Sequence, residues 1–197
     1  CMPSLRRRIE EGTRELHASA PWPEGRHALK QMLYFIRRRE ERFPTGEIDR
    51  VRQLISDMEP MDVEARLHAE LVRGWDLDAV TDDDFDAAEA RRNQRLEALG
   101  LELANDQNSL RAIGRALLDA EGGSFYSLGA GLAQEANNPL ELWGILRDLF
   151  LADIAKSRQT GVLSGLIHQL DNSNPEVAEE IRNECRTMPD LRQCYSI

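Results

Sequence analysis

The histidines and carboxylates are the residues from which a catalytic or metal site would be built. Glu64 and His68 lie four positions apart and so share one face of a helix. A ferritin-like metal site, however, places Glu three residues before His and repeats the pair on another helix. His168 lies near a predicted helix end, where a histidine stabilises the helix dipole and faces solvent. We expect no metal, no cofactor and no catalysis; a helical-bundle metal site at Glu64 and His68 stays open as an alternative.

The glycine-rich segment 128–132 could suggest a phosphate-binding loop. It reads Leu-Gly-Ala-Gly-Leu, but it lacks a preceding strand and no Gly-Lys-Ser or Gly-Lys-Thr follows it. We therefore expect Gly129, Gly131 and Gly165 to lie within helices and to let neighbouring helices approach closely.

Two features are candidate partner-binding sites. The first is the densest group of basic side chains, which consists of Arg37, Arg38, Arg39, Arg42, Arg50 and Arg52. Arginine matches phosphate oxygens well, but acidic residues such as Glu47 and Asp49 interleave with this group and favour a solvated helical face with local ion pairs. The second is Trp22, which stands between two prolines in a predicted loop and is the expected exposed anchor for a protein partner.

The charge of the chain is unevenly distributed. Its 197 residues carry a net charge of −10. Residues 1–56 contain 12 basic and 8 acidic side chains, whereas residues 57–90 contain 2 basic and 12 acidic ones. The acidic remainder argues against an extended nucleic-acid groove, and the aspartates of residues 76–86 lack the register of an EF-hand loop.

The sequence shows neither a membrane-spanning segment nor a signal peptide. No apolar run approaches the roughly 20 residues of a membrane-spanning helix, and the N-terminus does not follow the pattern of a signal peptide. We therefore expect a cytoplasmic protein. The start at Cys1 is consistent with a piece of a longer chain.

The periodicity of apolar residues predicts about ten helices and no strand. A first helix ends near Ala18 and has Leu5, Ile9 and Leu16 on one side. A loop is expected from Ser19 to Gly25, followed by a helix over residues 26–42. That helix has four residues at core spacing, which are Leu29, Met32, Leu33 and Ile36. Short connections predict antiparallel neighbours.

A weak repeat links the last helices. Leu128, Gly131, Leu132 and Asn138-Pro139 recur about 34–36 positions later as Val162, Gly165, Leu166 and Asn174-Pro175. Asn caps the backbone N–H groups of a helix start, and Pro is favoured at the first helical position. Repeated helix pairs are typical of an α-solenoid. We predict an all-α protein with an irregular or degenerate helical region over residues 1–123 and a HEAT-like region over residues 124–197, continuous with the first.

These C-terminal motifs also carry a family resemblance. From Ser127 onward, the Leu-Gly-Ala-Gly-Leu segment, Trp143 and the two Asn-Pro pairs resemble the helical-repeat regions of large bacterial multidomain proteins. Those proteins carry NTPase or sirtuin-like effector domains and are associated with anti-phage defence. The resemblance implies that the helices sense or dock a ligand while catalysis lies elsewhere. Residues of an NTPase or sirtuin-like site do not occur in this sequence.

The sequence therefore favours a non-catalytic scaffold or sensor that recognises another protein, as part of a larger bacterial defence protein. A nucleic-acid-binding helical module that uses the face from Arg37 to Arg52 is the alternative.

Overall fold

The computed structural model describes residues 3–19, 23–37, 45–71, 85–120, 125–154 and 160–194. Within these ranges the chain forms ten α-helices and one 3-10 helix, and it contains no strand. The α-helices are α1 (Pro3–Ser19), α2 (Pro23–Arg37), α3 (Thr45–Asp57), α4 (Val63–Leu71), α5 (Phe85–Leu103), α6 (Gln107–Asp119), α7 (Tyr126–Gln134), α8 (Pro139–Ala152), α9 (Thr160–Ser173) and α10 (Pro175–Thr187), and the 3-10 helix is Pro189–Cys194. The predicted all-α fold is confirmed.

The loop predicted from Ser19 to Gly25 is wrong at both ends. The helix α1 includes Ser19, and α2 begins at Pro23. Proline is favoured in the first turn of a helix because its missing N–H would have no partner there. Gly25 is consequently a buried helical residue. The predicted extension of the second helix beyond Arg37 lies outside the described residues.

Side-chain caps begin four helices, two of them at the Asn-Pro pairs where the sequence predicts a helix start. In each case a side-chain oxygen accepts a hydrogen bond from the backbone N–H three residues later, at 2.7–3.4 Å. The capping residues are Asp62, Asp106, Asn138 and Asn174. Phe125 occupies the N-cap position of α7 without a side-chain hydrogen bond to the helix.

The chain divides into two compact units, Cys1–Ala88 and Glu89–Ile197. In the first unit, α2 contacts α3 and α4, while α1 contacts α3. The core of this unit includes Ile48 and Met58, contributed by α3 and the turn after it, and Leu67 from α4. The helix α3 is therefore the element on which α1 and α2 both pack.

In the second unit, helices contact those that lie one or two elements away along the chain. The helix α6 contacts α8, α7 contacts α9, and α8 contacts α10. Contacts also join α9 to α8 and to α10, and the 3-10 helix contacts α9 and α10. The core of this unit is closely filled, and its largest fully buried side chains include Trp143, Phe125 and Phe150.

Glycines bring the backbones of α5, α7 and α9 together at two similar crossings. A Cβ built on Gly100 in α5 would lie 2.7 Å from the backbone nitrogen of Leu132 in α7. A Cβ built on Gly129 in α7 would lie 3.0 Å from the backbone nitrogen of Leu166 in α9. Since Leu132 and Leu166 are equivalent positions of the sequence repeat, the crossing of α5 with α7 recurs between α7 and α9.

The opposite sides of these crossings are equally close. A Cβ on Gly131 would lie 2.9 Å from the carbonyl carbon of Glu97, and a Cβ on Gly165 would lie 2.9 Å from that of Tyr126. Gly131 and Gly165 are also equivalent in the repeat. The prediction that these glycines permit close helix packing is confirmed, and the structure adds α5, through Gly100, to the repeated pattern.

Candidate interaction surfaces

The helix α1 turns a polar side toward α3. Its half-buried residues include Glu10, Thr13 and Arg14, which lie at helical spacing on one face. The Nε of Arg14 donates a hydrogen bond to Oδ2 of Asp57 at 2.6 Å. Hydrogen bonds from Gln53 and Arg14 lower the pKa of Asp57. The contact between α1 and α3 therefore includes an ion pair between partly exposed side chains.

The apolar side of α1 is exposed. Ile9 is 60% exposed and Leu16 is 52% exposed. These residues are seven positions apart, which is nearly two helical turns, so they lie on the same face together with the exposed Gly12. We refer to Ile9, Gly12 and Leu16 as the α1 stripe. The sequence placed Ile9 and Leu16 on one side of a helix, and the structure shows that this side is not the one that contacts α3.

The helix α2 also leaves apolar side chains at the surface. Phe35 is 65% exposed and Met32 is 42% exposed, whereas Ile36 is buried. The ring of Phe35 meets that of Tyr34 edge to face, with centroids 5.4 Å apart. The prediction that Met32 belongs to the core is wrong, because burial on this side of α2 includes Ile36 but does not extend one turn back to Met32.

The structure describes only part of the predicted partner-binding set. Four predicted residues lie outside the described residues, namely Trp22, Arg38, Arg39 and Arg42. Arg37 is the last residue of α2. The Nε of Arg50 lies 3.8 Å from Oε1 of Glu10, and a guanidinium nitrogen of Arg52 lies 2.9 Å from Oδ1 of Asp49. Both arginine side chains remain about half exposed. The local ion pair expected from the sequence is present at Arg52, whereas Arg50 pairs with Glu10 of α1.

The predicted histidine and carboxylate pairs do not form a metal site in the described part of the chain. His68 on α4 is exposed, and Glu64 is half-buried. His168 is an exposed residue of α9 whose ring centroid lies 6.0 Å from that of Tyr126. Among the residues that the structure describes, no group of three or more His, Cys, Asp or Glu side chains is placed to hold a metal ion.

A polar network joins α8 to α10 in the second unit. The indole N–H of the buried Trp143 donates to Oε2 of Glu184 at 2.6 Å, and Arg147 donates to Oε1 of the same carboxylate at 2.5 Å. Hydrogen bonds to Asp148 and Glu184 raise the pKa of Arg147. Sequence reasoning did not identify Glu184 as the partner of Trp143. The need of a buried indole N–H for a hydrogen-bond acceptor could have indicated a polar partner on a neighbouring helix.

Two cysteines of the second unit are buried and chemically quiet. Cys185 and Cys194 are both free and fully buried. Burial raises the pKa of Cys185 to about 11 and that of Cys194 to about 12. Since the thiolate is the nucleophilic form, both side chains are unreactive thiols at neutral pH.

Comparison with known proteins gives no match to any family model, any curated protein or any solved structure. None of the helices in the described ranges is both long enough and apolar enough to span a membrane. The chain is an all-α protein whose most prominent described surface feature is exposed apolar residues on α1 and α2.

Proposed function

We propose that this chain is a non-catalytic helical scaffold or sensor module that recognises another protein, as part of a larger bacterial anti-phage defence protein. The observation that carries the proposal is the orientation of α1, which turns polar residues toward α3 and exposes Ile9 and Leu16. Removal of apolar surface from water is favourable by about 25 cal/mol of free energy per Å². Exposed apolar patches on proteins accordingly mark sites of interaction.

The second unit supports the scaffold part of the proposal. We propose that its helices form a HEAT-like solenoid of antiparallel pairs. Two observations favour this arrangement, namely the contacts between helices one or two elements apart and the recurrence of the glycine crossing at Gly100 and Gly129. In a solenoid each repeat contacts its neighbours only, which leaves an extended surface for a partner.

Recognition would proceed by docking, without any bond made or broken. Large aromatic and arginine side chains contribute most of the binding energy at protein interfaces when a partner covers them. Phe35 is a suitable anchor, because its ring is exposed and its neighbour Tyr34 supports one edge. A partner that covers Phe35 and Met32 would bury the exposed apolar side of α2.

A pull-down from bacterial lysate with the full chain as bait, with and without nuclease, tests the proposal. We expect a specific protein that survives nuclease treatment and is lost with Phe35→Glu or Ile9→Glu. Ala18→Glu is the matched control, because it adds the same charge at an exposed position of α1 outside the stripe. Recovery of no nuclease-resistant protein would reject protein recognition.

The nucleic-acid-binding alternative uses the basic face from Arg37 to Arg52. Its support in the structure is that Arg50 and Arg52 remain about half exposed despite their ion pairs. Binding of this kind weakens steeply as salt is raised, because contacts with phosphates release counterions. Fluorescence anisotropy with a labelled duplex at several salt concentrations, using the parent chain and an Arg50→Gln, Arg52→Gln variant, tests it. Binding that is absent, insensitive to salt or unchanged in the variant rejects this alternative.

A further inference from the structure

We propose that the α1 stripe binds a second copy of this chain, with the two α1 helices antiparallel and crossing at Gly12. The inference deepens the proposed function, on which it rests, by naming the partner of one exposed surface. It depends on three observations, which are the open space around Gly12, the exposure of Ile9 and Leu16, and the distribution of charge along α1.

Gly12 lies in the interior of α1 and is exposed. Glycine is one of the weakest helix formers, and in the middle of a helix it can permit the close approach of another backbone. Gly129 and Gly165 show this in the same chain, since each lies against the backbone of a neighbouring helix. Among the described residues, in contrast, no atom would lie within 4 Å of a Cβ on Gly12. The space beside Gly12 would admit the backbone of another helix.

The residues around Gly12 are complementary to themselves in the antiparallel direction. A two-fold axis through Gly12 places Ile9 of one copy near Leu16 of the second copy, and the reverse. The same axis places Arg8 near Glu15 of the second copy. Arg8 and Glu15 are both exposed and lie on the same flank of the stripe. The antiparallel arrangement therefore brings unlike charges together on this flank.

The stripe is short, and this determines the kind of dimer expected. The helix α1 is 17 residues long, which corresponds to about 25 Å. Stable complexes bury about 800 Å² on each partner, whereas the stripe offers two large apolar side chains and one glycine in each copy. We therefore expect a reversible dimer that forms as the protein concentration rises.

Sedimentation equilibrium of the full chain, measured in reducing buffer at protein concentrations from about 10 to 500 µM, tests the proposal. We expect a monomer–dimer equilibrium. Gly12→Leu should raise the dissociation constant about tenfold or more, because the leucine side chain would occupy the crossing point. Ile9→Glu should do the same. Ala18→Glu should leave the equilibrium unchanged. Far-UV circular dichroism checks that each variant keeps its helix content.

A charge exchange tests the antiparallel geometry. Arg8→Glu alone and Glu15→Arg alone should each weaken the dimer about tenfold, because each creates two like-charge contacts across the axis. The double variant Arg8→Glu, Glu15→Arg should restore the parent dissociation constant. A purely structural effect of either substitution would not be rescued by the other.

The outcomes separate this inference from the proposed function. A chain that stays monomeric over the whole concentration range overturns the inference, as does a dimer that is indifferent to Gly12→Leu and Ile9→Glu. Failure of the double variant to restore the dimer overturns the antiparallel crossing. If the chain is monomeric but a different protein is captured and is lost with Ile9→Glu, the proposed function stands and the second copy is excluded.

Discussion

Substitution of Gly165 by alanine has two opposing effects on the stability of the chain, and their sizes can be compared. Alanine is favoured over glycine within a helix by about 1 kcal/mol. The added Cβ, however, would lie 2.9 Å from the carbonyl carbon of Tyr126 and 3.2 Å from the backbone nitrogen of Ala130. Both atoms belong to the backbone of α7, so no side chain can rotate away and the two helices must separate.

The expected balance is a loss of stability. Overfilling a well-packed core costs about 1–3 kcal/mol, and displacement of a backbone belongs at the upper end of that range. After the gain in helix propensity, Gly165→Ala should lower the free energy of unfolding by about 2 kcal/mol. Gly12→Ala is the matched control, because a Cβ there meets no atom within 4 Å. At concentrations where the chain is monomeric, Gly12→Ala should raise the free energy of unfolding by up to about 1 kcal/mol.

Hydrogen exchange followed by mass spectrometry is the suitable assay, because it reports on each helix separately in a chain with two compact units. Peptides from α7 and α9 should exchange faster in Gly165→Ala, and peptides from α1 should exchange more slowly in Gly12→Ala. Urea unfolding followed by circular dichroism gives the accompanying change in free energy. Protection of α7 and α9 in Gly165→Ala that equals or exceeds that of the parent chain would refute the close crossing.

Three further predictions concern the second unit. Asn174→Ala should destabilise α10 by about 1 kcal/mol in urea unfolding, whereas Asn174→Asp, which keeps the capping oxygen, should have little effect. Glu184→Ala should destabilise the chain by about 1–3 kcal/mol in urea unfolding, because it leaves the buried indole N–H of Trp143 without its acceptor. Glu184→Gln should recover part of this loss. Equal stability of the parent chain and Glu184→Ala would contradict the network. Iodoacetamide at pH 8 should leave Cys185 and Cys194 unmodified in the folded chain and modify both in denaturant, as peptide mapping would show, since their pKa values of about 11 and 12 keep the thiols protonated at that pH; modification of either in the folded chain would contradict their burial.

Local chemistry made the helix starts and the glycine crossings predictable. A capping side chain acts on a backbone N–H three residues later, so Asn138 and Asn174 could be recognised without knowledge of the tertiary structure. The repeat at Gly131 and Gly165 was recognisable because both positions meet the same constraint, a neighbouring backbone. Gly100 meets that constraint as well, but its helix has a different surrounding sequence, so the repeat was not visible there.

The orientation of whole helices was not predictable from periodicity. A stripe at helical spacing shows that a helix has an apolar side and leaves open what covers it. The stripe of α2 was expected to belong to the core, yet the structure directs Ile36 inward and leaves Met32 exposed. The acceptor for Trp143 was hidden for a related reason, since Glu184 lies 41 residues away and nothing in the local sequence connects the two.

The two units differ in how far their apolar side chains are exposed. Among the described residues, the largest exposures of apolar side chains are those of Ile9, Leu16, Phe35 and Met61 in the first unit, whereas large apolar residues of the second unit such as Leu128 and Leu166 are fully buried. The helices of the second unit therefore bury large apolar side chains against one another. The first unit leaves apolar surface exposed, and covering that surface with another molecule would be favourable. Substitutions in the α1 stripe should consequently change association and leave the stability of the second unit unaltered. Substitutions at the glycine crossings of the second unit should lower the stability of that unit and leave association unaltered.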